Sequence, residues 1–104
     1  MIKSQHNAWI HAVASVVVFV VGLWLRISPL EWGLVVLAVT IVWMAEFMNT
    51  AIEAIVDMVS PDFHPLAKVA KDVAAAGVLI GAGGAILIAL LIFVPKLLVL
   101  FGWS

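Results

Sequence analysis

The sequence predicts an all-α membrane protein with three transmembrane helices, and three observations carry that reading. The chain is 66% apolar with a mean hydropathy of +1.29. Two stretches, 12–25 and 73–94, hold only apolar and small residues, and the second is long enough for a helix to cross ~30 Å of hydrocarbon, which takes ~20 residues. Proline and polar punctuation then divides the chain into three.

The first span covers about 8–25 and stops at Arg26-Ile27-Ser28-Pro29, where Pro29 disfavours helix for Ser28. No small-x-small cleavage site follows its apolar core, so a retained span is expected rather than a signal peptide. The second span covers about 30–59, with Trp32 anchoring its outer end and Ser60-Pro61-Asp62 terminating it. The third begins after His64, where Pro65 suits a first helical turn, and ends near 94. Pro95-Lys96 is expected to break or kink the chain before a short apolar tail over 95–104. Trp9, Trp24, Trp32 and Trp103 suit membrane interfaces. Gly77 and Gly81, with Gly83 and Gly84, read as a small-residue surface for close helix packing. With no internal repeat and no soluble segment of any length, 1–104 is read as a single membrane domain.

Charge is distributed very unevenly along this apolar chain. Seven of the eleven charged residues, Glu46, Glu53, Asp57, Asp62, Lys68, Lys71 and Asp72, fall in one short stretch. A carboxylate in hydrocarbon costs ~2.5–3.5 kcal/mol on insertion scales, so such groups pair, bind a cation or do chemistry. A net charge of −1 argues against nucleic acid as a partner, and the lack of cysteine excludes a disulfide framework or thiolate metal site. Lys3, Lys68 and Lys71 share one side of the membrane, Arg26 and Lys96 the other. The positive-inside rule favours the first group, and the acidic cluster with it, as cytoplasmic.

Depth and angle sharpen this. Glu46 lies roughly 21 Å along the helix from Trp32, inside the hydrocarbon but near its inner edge. Glu53 comes at about that edge and Asp57 just beyond. At ~100° per residue, Glu46, Asn49, Glu53 and Asp57 form a stripe ~80° wide, with Thr50 on its flank. Lys68, Lys71 and Asp72 form a second narrow stripe with Ala75 on the third span. Joined by a short loop, the two stripes are expected to face each other or a shared cleft, because lipid exposure would be ruinous.

Such a set suits phosphoryl transfer to a lipid. Carboxylates hold a divalent metal through oxygen, lysine offsets phosphate charge, and a deeper carboxylate takes the proton of a buried hydroxyl. No Walker loop or glycine-rich nucleotide loop after a strand is present; Gly81-Ala82-Gly83-Gly84 falls mid-span. Taken singly, each residue also has a plainer role. Glu46 would be a hydrogen-bonded interhelical acid, Glu53 and Asp57 solvated helix ends, Lys68 and Lys71 snorkelling groups, and His6, His11 and His64 interfacial or capping residues.

The stretch EFMNTAIEAIVD at 46–57, followed by SPDFHPLAKVAKDVAAAGVLI at 60–80, closely resembles the prokaryotic diacylglycerol kinase and undecaprenol kinase family. Asn7, Ile10, His11 and Trp24 extend the resemblance more loosely over the first span. The resemblance implies a homotrimeric helix bundle, with sites at subunit boundaries, in the bacterial inner membrane. The implied reaction moves the γ-phosphate of ATP, with magnesium, to a lipid alcohol at the cytoplasmic face. Glu46 matches the catalytic base and Asn49 an asparagine that holds the reacting groups. Glu53 matches a magnesium-binding carboxylate. Asp62, Phe63 and His64 match a nucleotide-contacting loop, completed by Lys71 and Asp72, and Asp57 matches a supporting carboxylate. The proline-containing loop looks more like undecaprenol kinases than the diacylglycerol-specific branch.

The front of the chain departs from that pattern. Family members usually begin with an amphipathic surface helix and then a glutamate of the metal site. Here Met1-Ile2-Lys3-Ser4-Gln5 opens the chain, with Gln5 where that glutamate is expected. A glutamine carbonyl ligates magnesium without the charge, so weaker metal binding is expected. An upstream start, a tolerated loss and a weakened or silent relative all stay open. Two rival functions follow: a catalytically silent membrane scaffold, and a proton or cation pathway along the carboxylate stripe.

Overall fold

The computed structural model describes residues 2–102, with side chains from Ala8 to Gly102. Three helices follow one another: α1 (Ile2–Leu25), α2 (Pro29–Val59) and α3 (Pro65–Leu100). All three are long and apolar enough to cross a membrane. The bundle is a rod of 57 × 21 × 19 Å, so α2 and α3 outreach a hydrocarbon layer of ~30 Å. These two form the main hairpin, and α1 packs more sparsely against both.

Local chemistry sets the helix ends. Arg26 adopts a left-handed φ of 54°, and the amides of Arg26 and Ile27 donate back to the carbonyls of Leu23 and Gly22, each at 3.3 Å. That pair of bonds is a Schellman closure, which usually places glycine at the left-handed position. Ser28 then caps α2: its hydroxyl accepts from the Glu31 amide at 3.1 Å, while the Glu31 carboxylate accepts from the Ser28 amide at 2.8 Å. Pro29 occupies the first turn, where its missing N–H costs nothing. At α3 the cap is His64, whose Nδ1 accepts from the Leu66 amide at 3.1 Å.

Contrary to the sequence expectation, α3 does not end near 94. It continues through Pro95 to Leu100. Proline removes one backbone donor from the helix, yet tertiary anchors hold the chain on both sides of it. Ile92 and Phe93 join Ile27 and Val35 in the buried core, and Lys96 pairs with Glu31 at 3.1 Å. Trp32 stacks on Phe19 at 5.8 Å beside this core. The tight approach there requires Gly22, since a Cβ at that position would meet the Trp32 ring at 2.8 Å.

The glycines of α3 are also more modest than expected. Gly81 faces Ile41 and Ala45 of α2, while a Cβ on Gly77, Gly83 or Gly84 would meet nothing within 4 Å. Within one chain the Gly77–Gly81 spacing is therefore not a packing seam. Trp103 lies outside the described residues.

The densest packing thus sits at the end that carries Arg26 and Lys96, which line a common crevice. Lys68 and Lys71 occupy the opposite end beside the α2–α3 loop. The charged stretch is held there by two long helices rather than by a core of its own.

Candidate functional site

Along α2 the buried face runs through Val35, Ala38, Val42, Glu46 and Asn49, a spacing of three and four that keeps one side of a helix inward. The stripe is apolar at its start and polar at its end. Glu46 is only 1% exposed and Asn49 4%. Among the described residues, neither oxygen of the Glu46 carboxylate has a hydrogen-bond partner, nor does the Asn49 carbonyl oxygen. Unpartnered buried oxygens of this kind are costly.

Asn49 Nδ2 donates to Glu53 Oε1 at 3.4 Å one turn further on, which ties the buried pair to a half-buried carboxylate. Asp57, two turns nearer the loop than Asn49, is exposed and pairs across the hairpin with Lys71 of α3. That ion pair joins the two polar stripes at their loop ends within one chain. Lys68 and Asp72 pair along α3 at 2.6 Å. Lys71 and Asp72, adjacent in sequence, therefore serve different partners, because neighbouring side chains on a helix project ~100° apart.

Asp62, Phe63, His64, Lys71 and Asp72 all line one open crevice at the loop, together with Asp57 and Lys68. Its volume is about 370 Å³, in the range of small-molecule sites of ~300–1,000 Å³. The loop is shaped by its own side chains: Ser60 Oγ donates to the Asp62 carbonyl at 3.1 Å. His64 commits Nδ1 to the α3 cap, which leaves Nε2 toward the surroundings. Phe63 is strongly exposed at the rim.

A family model described as prokaryotic diacylglycerol kinase matches residues 1–93. The chain belongs to that family. It is 40% identical over 95 residues to the undecaprenol kinase of Bacillus subtilis, covering 91% of this chain and 77% of that protein. It is 35% identical to the diacylglycerol kinase of Synechocystis, covering 91% of this chain and 55% of the relative. Against the diacylglycerol kinase of Escherichia coli K12 it is 34% identical, covering 75% of this chain and 70% of that protein. This member of the diacylglycerol kinase family is thus a multi-pass membrane protein of a lipid kinase lineage.

The geometry assembles the sequence-selected residues into two levels. Glu46, Asn49 and Glu53 form a deep level, and Asp62, Phe63, His64, Lys71 and Asp72 a shallow one. Gln5 and Asn7 lie outside the described side chains. One residue of the deep level is legible in the sequence only as an interfacial or family-spaced residue, not as a site residue. His11 of α1 brings Nε2 to 3.3 Å from Glu46 Oε2. Its sequence signals are its place in the looser resemblance over the first span and its position one turn before Ser15, at the edge of an otherwise apolar run.

Proposed function

We propose that this membrane lipid kinase uses ATP and magnesium to phosphorylate a lipid alcohol, undecaprenol or diacylglycerol, at the cytoplasmic face of the bacterial inner membrane. We further propose that it works as a homotrimer whose sites are shared between neighbouring copies. The observation that carries the reading is the buried Glu46 carboxylate, whose two oxygens have no hydrogen-bond partner among the described residues, on the helix that leads to a crevice bearing lysines. A carboxylate so placed is an acceptor without a donor, and the donor it suits is a hydroxyl. The relatives' names supply both candidate alcohols.

Each level then has a task. The lipid hydroxyl gives its proton to Glu46, its oxygen forms a bond to the γ-phosphorus, and the bond to ADP breaks. Asn49 holds the carboxylate of Glu53 in place through its amide. Lys71 offsets phosphate charge in the crevice, Asp62 and Asp72 shape its polar walls, Phe63 offers an exposed ring and His64 a free Nε2.

Magnesium fits the donor set. Glu53 and the unpartnered Asn49 oxygen are hard donors, and Gln5 would add a neutral one. Among the described residues no three acidic or histidine side chains converge as a metal cage. That suits magnesium, which is usually held by one or two carboxylates and by substrate phosphates. When bound, the ion neutralises charge on the β- and γ-phosphates.

The test is labelled phosphate transfer by purified protein in lipid, run with undecaprenol and diacylglycerol side by side, with and without magnesium. Glu46→Gln should cost at least about 100-fold in turnover while leaving expression and assembly intact. Wild-type turnover in that variant would remove Glu46 from the role of base. Absence of transfer by the wild-type chain with either alcohol would return the silent scaffold.

A further inference from the structure

Glu46 is buried to 1% exposure, and among the described residues the one charged or chargeable side chain within ion-pair distance of it is His11, at 3.3 Å. The contact is off the direction of a good hydrogen bond, since both Glu46 oxygens count as unpartnered. His11 is nevertheless firmly placed. Its ring meets the Trp43 ring edge-on at 6.3 Å. Trp43 Nε1 donates to Ser15 Oγ at 3.2 Å, and Ser15 Oγ donates to the His11 carbonyl at 2.7 Å. This relay clamps α1 onto α2 at the depth of Glu46, in the helix pairing that is otherwise sparse.

His11 also belongs to the wall of a cavity between the three helices. The cavity holds about 250 Å³ and is walled by alanines and branched aliphatics, with His11 and Ser15 its polar members. Small side chains, Ala14, Ala82, Ala85 and Ala89, keep it open. Among the described residues no carboxylate, lysine or arginine lines it, so it suits an apolar chain and not a nucleotide. His11 therefore stands between an apolar slot and the buried acid.

We propose that His11 is a positioning residue for phosphorylation of the lipid alcohol: its Nε2 holds the Glu46 carboxylate toward a hydroxyl delivered from the apolar side. The proposal rests on the reading of Glu46 as the base. It assigns His11 no contact with ATP, since His11 is not among the residues that line the crevice.

The test compares His11→Ala, His11→Gln and Glu46→Asp, alone and combined. His11→Ala should lower kcat by about 10- to 100-fold, the range expected when a reacting group is misplaced, with KM for ATP unchanged. His11→Gln keeps an N–H donor and should recover to within about threefold of wild type. In the Glu46→Asp background, whose shorter acid no longer reaches the imidazole, His11→Ala should cost less than about twofold more. Equal losses in both backgrounds, or wild-type kcat in His11→Ala, would overturn the proposal. A second readout needs no activity. With ¹⁵N-labelled histidine, the His11 side-chain resonance should move on Glu46→Gln while that of His64 stays. A still His11 resonance defeats the proposal even where transfer is seen, whereas a moving one with no transfer by wild type defeats only the kinase reading.

Discussion

Replacing Lys71 with methionine separates a role in nucleotide binding from a role in holding the hairpin. Lys71 is 40% exposed and its partner Asp57 61%, so solvent screens the pair and its loss should cost under about 1 kcal/mol of stability. A lysine bonded to phosphate is a different matter. A hydrogen bond to a charged group is worth ~1.5–3 kcal/mol, which corresponds to about 10- to 150-fold in affinity. Lys71→Met should therefore raise KM for ATP by that factor while the melting temperature in detergent hardly moves. Asp57→Asn, which frees the lysine, should leave KM for ATP unchanged or lower. Lys68→Met is the control: its partner Asp72 lies on the same helix, one turn on, in the less favourable order of charges. It should change KM by less than about threefold. The assay is steady-state transfer at saturating lipid, with melting followed in parallel. An unchanged KM in Lys71→Met, or equal effects from both lysines, would refute a specific phosphate contact and leave only the summed charge of the crevice.

Three further substitutions probe the far end and the middle of the bundle. Gly22→Ala should destabilise the fold by about 1–3 kcal/mol through overpacking, because the added Cβ would lie 2.8 Å from a Trp32 ring that is itself stacked on Phe19. Gly81→Ala, whose Cβ would sit 3.8 Å from Ile41, should be neutral or stabilising by up to about 1 kcal/mol; thermal melting of both in the same detergent checks the contrast. Arg26→Gly should raise stability by about 1 kcal/mol, since a left-handed residue other than glycine carries a penalty of that order. No gain in melting temperature would show that the arginine head is worth as much as the strain.

Prolines at 29 and 65 declared the helix starts, and simple angular arithmetic put Asp57 and Lys71 toward each other. Those features are local, or depend only on helix period, and so can be read from sequence. Pro95 could not be read the same way. A local rule ends a helix there, but Ile92, Phe93 and the Lys96–Glu31 pair restrain both sides of it. The division of Lys71 and Asp72 between two partners depended on where α2 stands, which no spacing within α3 reports. His11 was hidden for the same reason: it becomes part of the site only when α1 is laid on α2 and Glu46 comes within 3.3 Å. Gly77, Gly83 and Gly84 erred in the other direction, since a small-residue spacing invites a seam that one chain does not form.

The buried face of α2 explains why these parts belong together. Had that face served packing alone, the apolar series Val35, Ala38, Val42 would have continued into positions 46 and 49 at no cost. Instead an acid and an amide stand there with three oxygens that no hydrogen bond from the described residues satisfies, and buried polar atoms left so are costly. The bundle tolerates this because its stability is concentrated at the other end, where Ile27, Val35, Ile92 and Phe93 close the core and Glu31 and Lys96 tie α2 to α3. A structural explanation of Glu46 would have to give its oxygens donors, and among the described residues the one side chain offered is a histidine on the more sparsely packed α1. An acid kept short of donors at the depth of an apolar slot is best explained by a donor that arrives with the substrate.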